Sequence, residues 1–300
     1  MMSDFKEWMK VHQARVQSVV ERLLPSEDLV PTALHQAMRY AVIGGGKRVR
    51  PLLVYAASEI TDGCKDVVDL VALAVECVHS YSLIHDDLPC MDNDTLRHGK
   101  PTVHIKFGEA TAMLAGDALQ PEAILLLLRT GLPAEQCMEL VRLLAEASST
   151  TGMCGGQAID LSVVGQAISY EDLQRMHAMK TGALLKASVL MGAMSGQSEF
   201  ISSDLLKNLK EYGEAIGLAF QIVDDILDVT EDTATLGKTA GKDEKNDKPT
   251  YVSLFGLDRS RQLVVEQHNR ALDALCSLGL LQGKSKHLAD IADYIIKRSY

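Results

Sequence analysis

The chain is short of the signals that mark several protein classes. None of its 6 cysteines (Cys64, Cys77, Cys90, Cys137, Cys154, Cys276) belongs to a C-x-x-C pair, so no zinc ribbon or dithiol redox centre is indicated. A reducing cytoplasm is the expected location. No charged stretch followed by an apolar one opens the sequence, so no secretory signal is expected. Uninterrupted apolar runs are short, Ile124 to Leu128 being typical of the longest, whereas crossing a bilayer takes about 20 apolar residues. A soluble chain without a membrane span is expected. Basic residues are outnumbered, 30 Lys and Arg against 40 Asp and Glu. The net charge of -10 and pI near 5.4 argue against general attraction to nucleic acid or to an anionic membrane surface. An anionic substrate must therefore meet local cations or bound metal. No repeat of fixed period and no dividing linker is visible.

What is present is apolar material at helical spacing. The 300 residues are 47% hydrophobic with mean hydropathy +0.03, enough for a substantial core. Phe5, Trp8, Met9, Val16, Val19, Val20, Leu23 and Leu24 form one stripe, the pattern of a surface helix. Residues 67–88, 110–129 and 212–229 are apolar on most sides, the pattern of central helices. Further helices are predicted over 33–43, 51–59, 134–149, 170–194, 250–275 and 286–297, and no strand is needed. Glycine or proline breaks the pattern at Gly44-Gly45-Gly46, Pro89, Gly99 to Pro101, Gly131 to Pro133, Gly155-Gly156 and Gly237 to Pro249. The expectation is one all-α domain over residues 1–300, a bundle of roughly ten helices.

Two acidic runs stand at the ends of apolar helices: Asp86-Asp87-Leu88-Pro89-Cys90-Met91-Asp92-Asn93-Asp94 and Asp224-Asp225-Ile226-Leu227-Asp228. In the second, positions 224 and 228 share a helix face with Asp225 beside them, so three carboxylates are expected to converge. Such like charges repel unless cations sit among them. In the first, Pro89 disfavours helix at Leu88, so the helix should end there and turn Asp92 back towards Asp86. Ligation by carboxylate oxygens suits Mg²⁺, which keeps waters and binds substrate phosphates. The plain alternative for either run alone is a solvated helix end. His85-Asp86 also suggests a helical metal phosphohydrolase, but that chemistry wants further histidine ligands and the second run is purely acidic.

Cations accompany the runs. Gly44-Gly45-Gly46-Lys47-Arg48-Val49-Arg50-Pro51 places three in a turn with exposed N–H groups, an oxyanion cradle that is also an ordinary helix connection. Arg97 follows the first run, Lys180-Thr181 lies in a helical stretch, and Lys238, Lys242, Lys245 and Lys248 follow the second.

Together GGGKRVRP at 44–51, YSLIHDDLPCMDND at 81–94, GDALQ at 116–120, GGQAIDL at 155–161, KTGALL at 180–185, FQIVDDILD at 220–228 and TLGKTAGKD at 235–243 resemble the successive signatures of short-chain polyprenyl diphosphate synthases. That resemblance implies a helical bundle around a deep central cavity, usually a homodimer. It implies three Mg²⁺ ions held by Asp86, Asp87, Asp92, Asp224 and Asp228, with Asp225 in the same catalytic run. Arg97, Lys180, Thr181, Gln221, Lys238 and Lys248 would meet the allylic diphosphate. Lys47, Arg50 and His79 would bind isopentenyl diphosphate, although a lone histidine on such a helix otherwise reads as a core residue. The implied reaction condenses isopentenyl diphosphate with dimethylallyl and geranyl diphosphates. Tyr81, roughly 7.5 Å before Asp86 along the helix, with Ser82 and the inserted Pro89-Cys90, resembles bacterial enzymes that stop at the fifteen-carbon farnesyl product.

Three features depart from the family pattern. His98 stands where a second arginine usually assists isopentenyl diphosphate binding; it is shorter and partly charged near neutrality. Asn93 and Thr95 make the first region less acidic than usual, and Pro121 is expected to kink its helix. Alternatives within the family are geranyl or geranylgeranyl diphosphate synthesis. A terpene cyclase would carry a mixed Asn, Ser and Glu second motif, and a non-catalytic partner subunit would have lost one acidic run.

Overall fold

Helical periodicity becomes helix almost throughout the computed structural model, which describes residues 2–196, 200–231, 248–279 and 283–297. The elements are α1 (Met2–Leu23), α2 (Thr32–Ile43), α3 (Val49–Ser58), α4 (Lys65–Asp86), β1 (Leu96–Arg97), β2 (Lys100–Pro101), α5 (Val103–Phe107), α6 (Glu109–Leu128), α7 (Ala134–Ser148), α8 (Met153–Ser162) and α9 (Tyr170–His177). A π-helical turn (Ala178–Gly182) follows, then α10 (Ala183–Met194), α11 (Ser203–Thr230), α12 (Tyr251–Cys276) and α13 (Lys286–Ile296). The all-α expectation holds, with one exception: β1 and β2 form an antiparallel ladder where no strand was expected. The Cα positions divide into two compact units, Met1–Tyr55 with Cys64–Val141 and Ala56–Gly63 with Arg142–Tyr300.

In the first unit α4 is the core element. Val71, Ala74, Val75, Cys77, Val78 and Ile84 are buried, and so are the polar Asp69 and Glu76. Each buried charge has its partner. Asp69 accepts from Arg15 Nε at 2.7 Å, Arg22 Nη2 at 3.0 Å and Tyr55 Oη at 3.0 Å, while Glu76 pairs with Arg48. A buried charge stripped of its partner costs about 3–5 kcal/mol, so these pairs fix how α1 and the glycine loop seat on α4.

By length and composition α4 and α6 could each cross a membrane, which counting unbroken runs did not anticipate. α4 is 83% buried over its most apolar window, as the core helix of a globular protein is. α6 is 39% buried over its window and exposes Met113, Leu114, Leu125 and Leu128. It runs through Pro121 as one element.

The second unit is built on α11. Ser202 caps it by accepting from Leu205 N, a contact worth about 1 kcal/mol. Tyr212, Ile216, Ala219, Val223 and Ile226 are buried, and Tyr212 Oη donates to Leu288 O at 2.7 Å, tying α13 down. α12 begins with a capping box, in which Thr250 and Ser253 satisfy each other's backbone N–H. The continuous helix expected there is broken at Gly256, whose φ of 77° lies in the left-handed region.

Candidate active site

The first acidic run is shaped by how α4 ends. Asp87 caps the helix, and Pro89 lets the chain reverse so that Asp92 N donates to Asp86 O at 2.8 Å. Asn93 N and Met91 N both bond Leu88 O, with Asn93 in a left-handed conformation. Asp86 and Asp92 are thereby neighbours. Asp87, expected among the ligands, behaves differently: it is buried and ion-paired with Arg97, which also lies 3.6 Å from Asp94. Burial raises the Asp87 carboxyl above its ordinary range, and the Arg97 guanidinium opposes that rise. In this structure its carboxylate holds Arg97.

The β1–β2 hairpin turns on His98 and Gly99, with φ of 51° and 74°, the two left-handed positions of a two-residue hairpin loop. This turn lays His98 on the glycine loop: a Cβ built on Gly46 would meet His98 Nε2 at 3.2 Å, and one on Gly45 its Cβ at 3.6 Å. Arg50 Nη1 donates to His79 Nε2 at 3.4 Å. Of the loop's three cations, Arg48 is committed to Glu76. Desolvation, then the charges of Arg50, His98, Arg48 and Arg97, hold His79 well below the usual imidazole range. His98 is lowered likewise, by desolvation and then by Arg97, Arg48, Lys47 and Lys100. A dense patch of positive charge thus exists on an acidic protein, with two neutral imidazoles in it.

In front of this run, Tyr81 is buried with its ring 5.9 Å from that of His85, edge-on, and Ser82 Oγ donates to His79 O at 2.9 Å. His85 Nε2 lies 3.1 Å from Met113 O, against Gly116, where any Cβ would sit 2.1 Å from that nitrogen. The imidazole serves helix packing, which removes the support for a His-Asp metal pair.

In the second unit two glycines admit the π-turn. A Cβ on Gly156 of α8 would fall 2.2 Å from Lys180 N, and one on Gly217 of α11 2.7 Å from Gly182 Cα. One turn beyond each glycine stands a polar residue that grips the turn. Lys180 Nζ donates to Asp160 Oδ2 at 2.6 Å, and Thr181 Oγ1 donates to Gln221 Oε1 at 3.0 Å. Gln221 Nε2 passes the chain on to Asp225 Oδ1 at 2.9 Å, while Asp225 Oδ2 accepts from Tyr251 N at 2.9 Å. Asp225 is buried in that role, so the expected convergence of three carboxylates reduces to Asp224 and Asp228, one turn apart on α11. Lys248 Nζ reaches Asp160 Oδ2 at 3.3 Å. Lys238, Lys242 and Lys245 lie outside the described residues.

A family model described as polyprenyl synthetase matches residues 31–275. The chain belongs to the polyprenyl synthetase family. It is 49% identical over 273 residues to a probable farnesyl diphosphate synthase of Sinorhizobium fredii, covering 91% of this chain and 80% of that protein. It is 42% identical over 299 residues to the farnesyl diphosphate synthase of Escherichia coli, covering 99% of each. The crystal structure of a geranyltransferase from Helicobacter pylori, complexed with magnesium and isoprenyl diphosphate, matches with TM-score 0.84 at 34% identity, over 97% of this chain and 96% of that one. The isoprenoid synthase fold is shared.

The donor chemistry of this synthetase fits Mg²⁺. Asp86, Asp92, Asp224 and Asp228 offer carboxylate oxygens, and His85 is engaged elsewhere. Among the described residues no three Asp, Glu, His or Cys groups come close enough to hold an ion unaided. Carboxylate oxygens are the donors that suit a hard cation, whose coordination water and phosphate oxygens complete.

Several supporting residues were assigned no role from the sequence, although Gly156 and Asp160 lie within GGQAIDL. Glu76 neutralises Arg48, Asp160 gathers two lysines, and Gly156 and Gly217 admit the π-turn. A charge inside an apolar helix was the available hint for Glu76 and Asp160. His177 is a further case, stacked on Tyr251 at 5.5 Å with both ring nitrogens lacking partners among the described residues. Burial pushes it down to about 3, with Asp160 raising it and Lys180 lowering it. An imidazole whose folded pKa lies below its unfolded value takes up its proton first in the unfolded chain. It therefore removes stability as pH falls from about 6.5 towards 3, on the order of 2 kcal/mol by pH 5. In His177→Phe the stability lost between pH 7 and pH 5 should shrink by about that amount in urea unfolding. Equal acid sensitivity in both proteins would contradict this.

Proposed function

We propose that this synthetase condenses isopentenyl diphosphate with dimethylallyl and then geranyl diphosphate, releasing farnesyl diphosphate. The observation that carries the reading is the second unit's arrangement: Asp224 and Asp228 one turn apart on α11, with Asp225 in the same run joined through Gln221 and Thr181 to a turn that bears Lys180. Carboxylates that attract a divalent cation, set beside ammonium groups that attract phosphate, suit a diphosphate leaving group.

Three Mg²⁺ ions, held by Asp86, Asp92, Asp224 and Asp228, would supply positive charge to the diphosphate oxygens. Lys180, Thr181 and Lys248, with Arg97 and Lys238, bind those oxygens and neutralise charge as the C–O bond breaks. Arg97 reaches this task already oriented by Asp87 and Asp94. Lys47 and Arg50 hold isopentenyl diphosphate against the glycine loop, with neutral His79 accepting from Arg50. The isopentenyl double bond attacks the allylic cation, and the proton lost passes to the released diphosphate. Apolar side chains of α4 around Tyr81 keep water from quenching the cation. A partner subunit without activity is disfavoured because both acidic runs are intact. The exposed apolar face of α6 supports a homodimer.

Purified protein incubated with Mg²⁺, isopentenyl diphosphate and each allylic diphosphate tests the reading, with the dephosphorylated products sized by chromatography. Fifteen-carbon product is expected. No elongation from any allylic substrate would refute it.

His98→Arg should lower the Michaelis constant for isopentenyl diphosphate several-fold at pH 7.5 and leave that for geranyl diphosphate within about twofold. The lowered pKa leaves His98 neutral there, so the wild-type constant should fall as pH drops and His98 gains charge, whereas the arginine variant should lose this dependence. Identical pH profiles for the two proteins would count against this role.

A further inference from the structure

We propose that Asp160 is a positioning residue, which gathers Lys180 and Lys248 into a preset pair of ammonium groups for the allylic diphosphate. The inference rests on the function proposed above and assigns a part to a carboxylate that lies in neither acidic run.

The geometry is specific. Asp160 is 7% exposed in its side chain, and a single oxygen, Oδ2, accepts from Lys180 Nζ at 2.6 Å and Lys248 Nζ at 3.3 Å. The two ammonium nitrogens therefore lie within about 6 Å of each other. Without a negative charge between them they would repel and swing apart on their flexible stems. Burial alone would raise the Asp160 carboxyl, but the two lysines outweigh it and hold the group below its ordinary range, so it is ionised. The backbone enforces the contact. Gly156 stands one turn before Asp160 on α8, and its missing side chain lets the π-turn carrying Lys180 lie directly against the helix. Lys248 precedes the cap of α12, so Asp160 joins two segments far apart in sequence at the point where a diphosphate is to be received.

Charge counting and positioning predict opposite signs. If Asp160 acted only through its charge, removing a negative group from an anion site would tighten diphosphate binding. As a positioning residue, its loss disorders two cations and weakens binding.

Asp160→Asn should raise the Michaelis constant for geranyl diphosphate at least tenfold and leave that for isopentenyl diphosphate within twofold, a split that a general folding defect would not give. Asp160→Glu, which keeps the charge, should recover part of the loss. In a Lys180→Met, Lys248→Met background, adding Asp160→Asn should change little further. Calorimetric binding of inorganic pyrophosphate with Mg²⁺ gives a readout independent of turnover. It should weaken at least tenfold in Asp160→Asn and partly recover in Asp160→Glu, whether or not the wild type elongates prenyl chains. Tighter or unchanged pyrophosphate binding, or equal rises in both Michaelis constants, would overturn the assignment. Should Asp160→Asn fail to fold, Asp160→Glu decides: allylic and isopentenyl constants that rise together in it also overturn the proposal.

Discussion

Asp228→Asn should lower kcat by about 10²- to 10³-fold, the loss expected when one group stabilising developing charge is removed. The substitution keeps the volume of a buried side chain and takes away the charge that α11 presents one turn from Asp224. Raising the Mg²⁺ concentration should restore part of the activity, because the remaining carboxylates still attract the ion. Asp225→Asn is the informative neighbour. Both Asp225 oxygens accept, from Gln221 Nε2 and Tyr251 N, and an amide would turn an NH₂ against one of those donors. Its main effect should be on stability, about 1–3 kcal/mol, with the Mg²⁺ dependence of rate unchanged. Activity of Asp228→Asn within twofold of wild type, or equal Mg²⁺ sensitivity in the two variants, would show that adjacent aspartates do not divide the work in this way.

Tyr81→Ala should move the main product from fifteen carbons to twenty or more. The ring is buried edge-on to His85, about one and a half turns before Asp86. Truncating a large aromatic in a packed helix leaves a void, at a cost of about 3–5 kcal/mol when nothing fills it. A lengthening prenyl chain is apolar and can occupy that void, so part of the stability should return when long-chain product is bound. Sizing the products by chromatography decides the matter: fifteen-carbon product alone would mean that Tyr81 is not the floor.

The main features of the fold and the break in the first run were legible in the residues. Pro89 can neither donate in a helix nor tolerate helix before it, and α4 ends at Asp86 with Asp92 returned to it. The π-turn was not legible, because one inserted residue leaves the apolar spacing of 170–194 nearly helical. Gly155-Gly156 read as a break, yet both lie inside α8, where the absence of a side chain serves close packing. The contacts of Asp225 and Asp87 depend on partners outside the two acidic runs: Tyr251 for the one and Arg97 for the other. Spacing gives which carboxylates share a helix face. It does not give which of them a backbone N–H or a guanidinium has already taken.

A crystal structure of the protein with Mg²⁺ and a non-ionising allylic diphosphate analogue tests the central claim most directly. The account predicts divalent ions bound to the diphosphate by Asp86 and Asp92 and by Asp224 and Asp228, with Asp87 and Asp225 still on Arg97 and Tyr251. Diphosphate bound away from either carboxylate pair, or held by lysines alone without any ion, would contradict it.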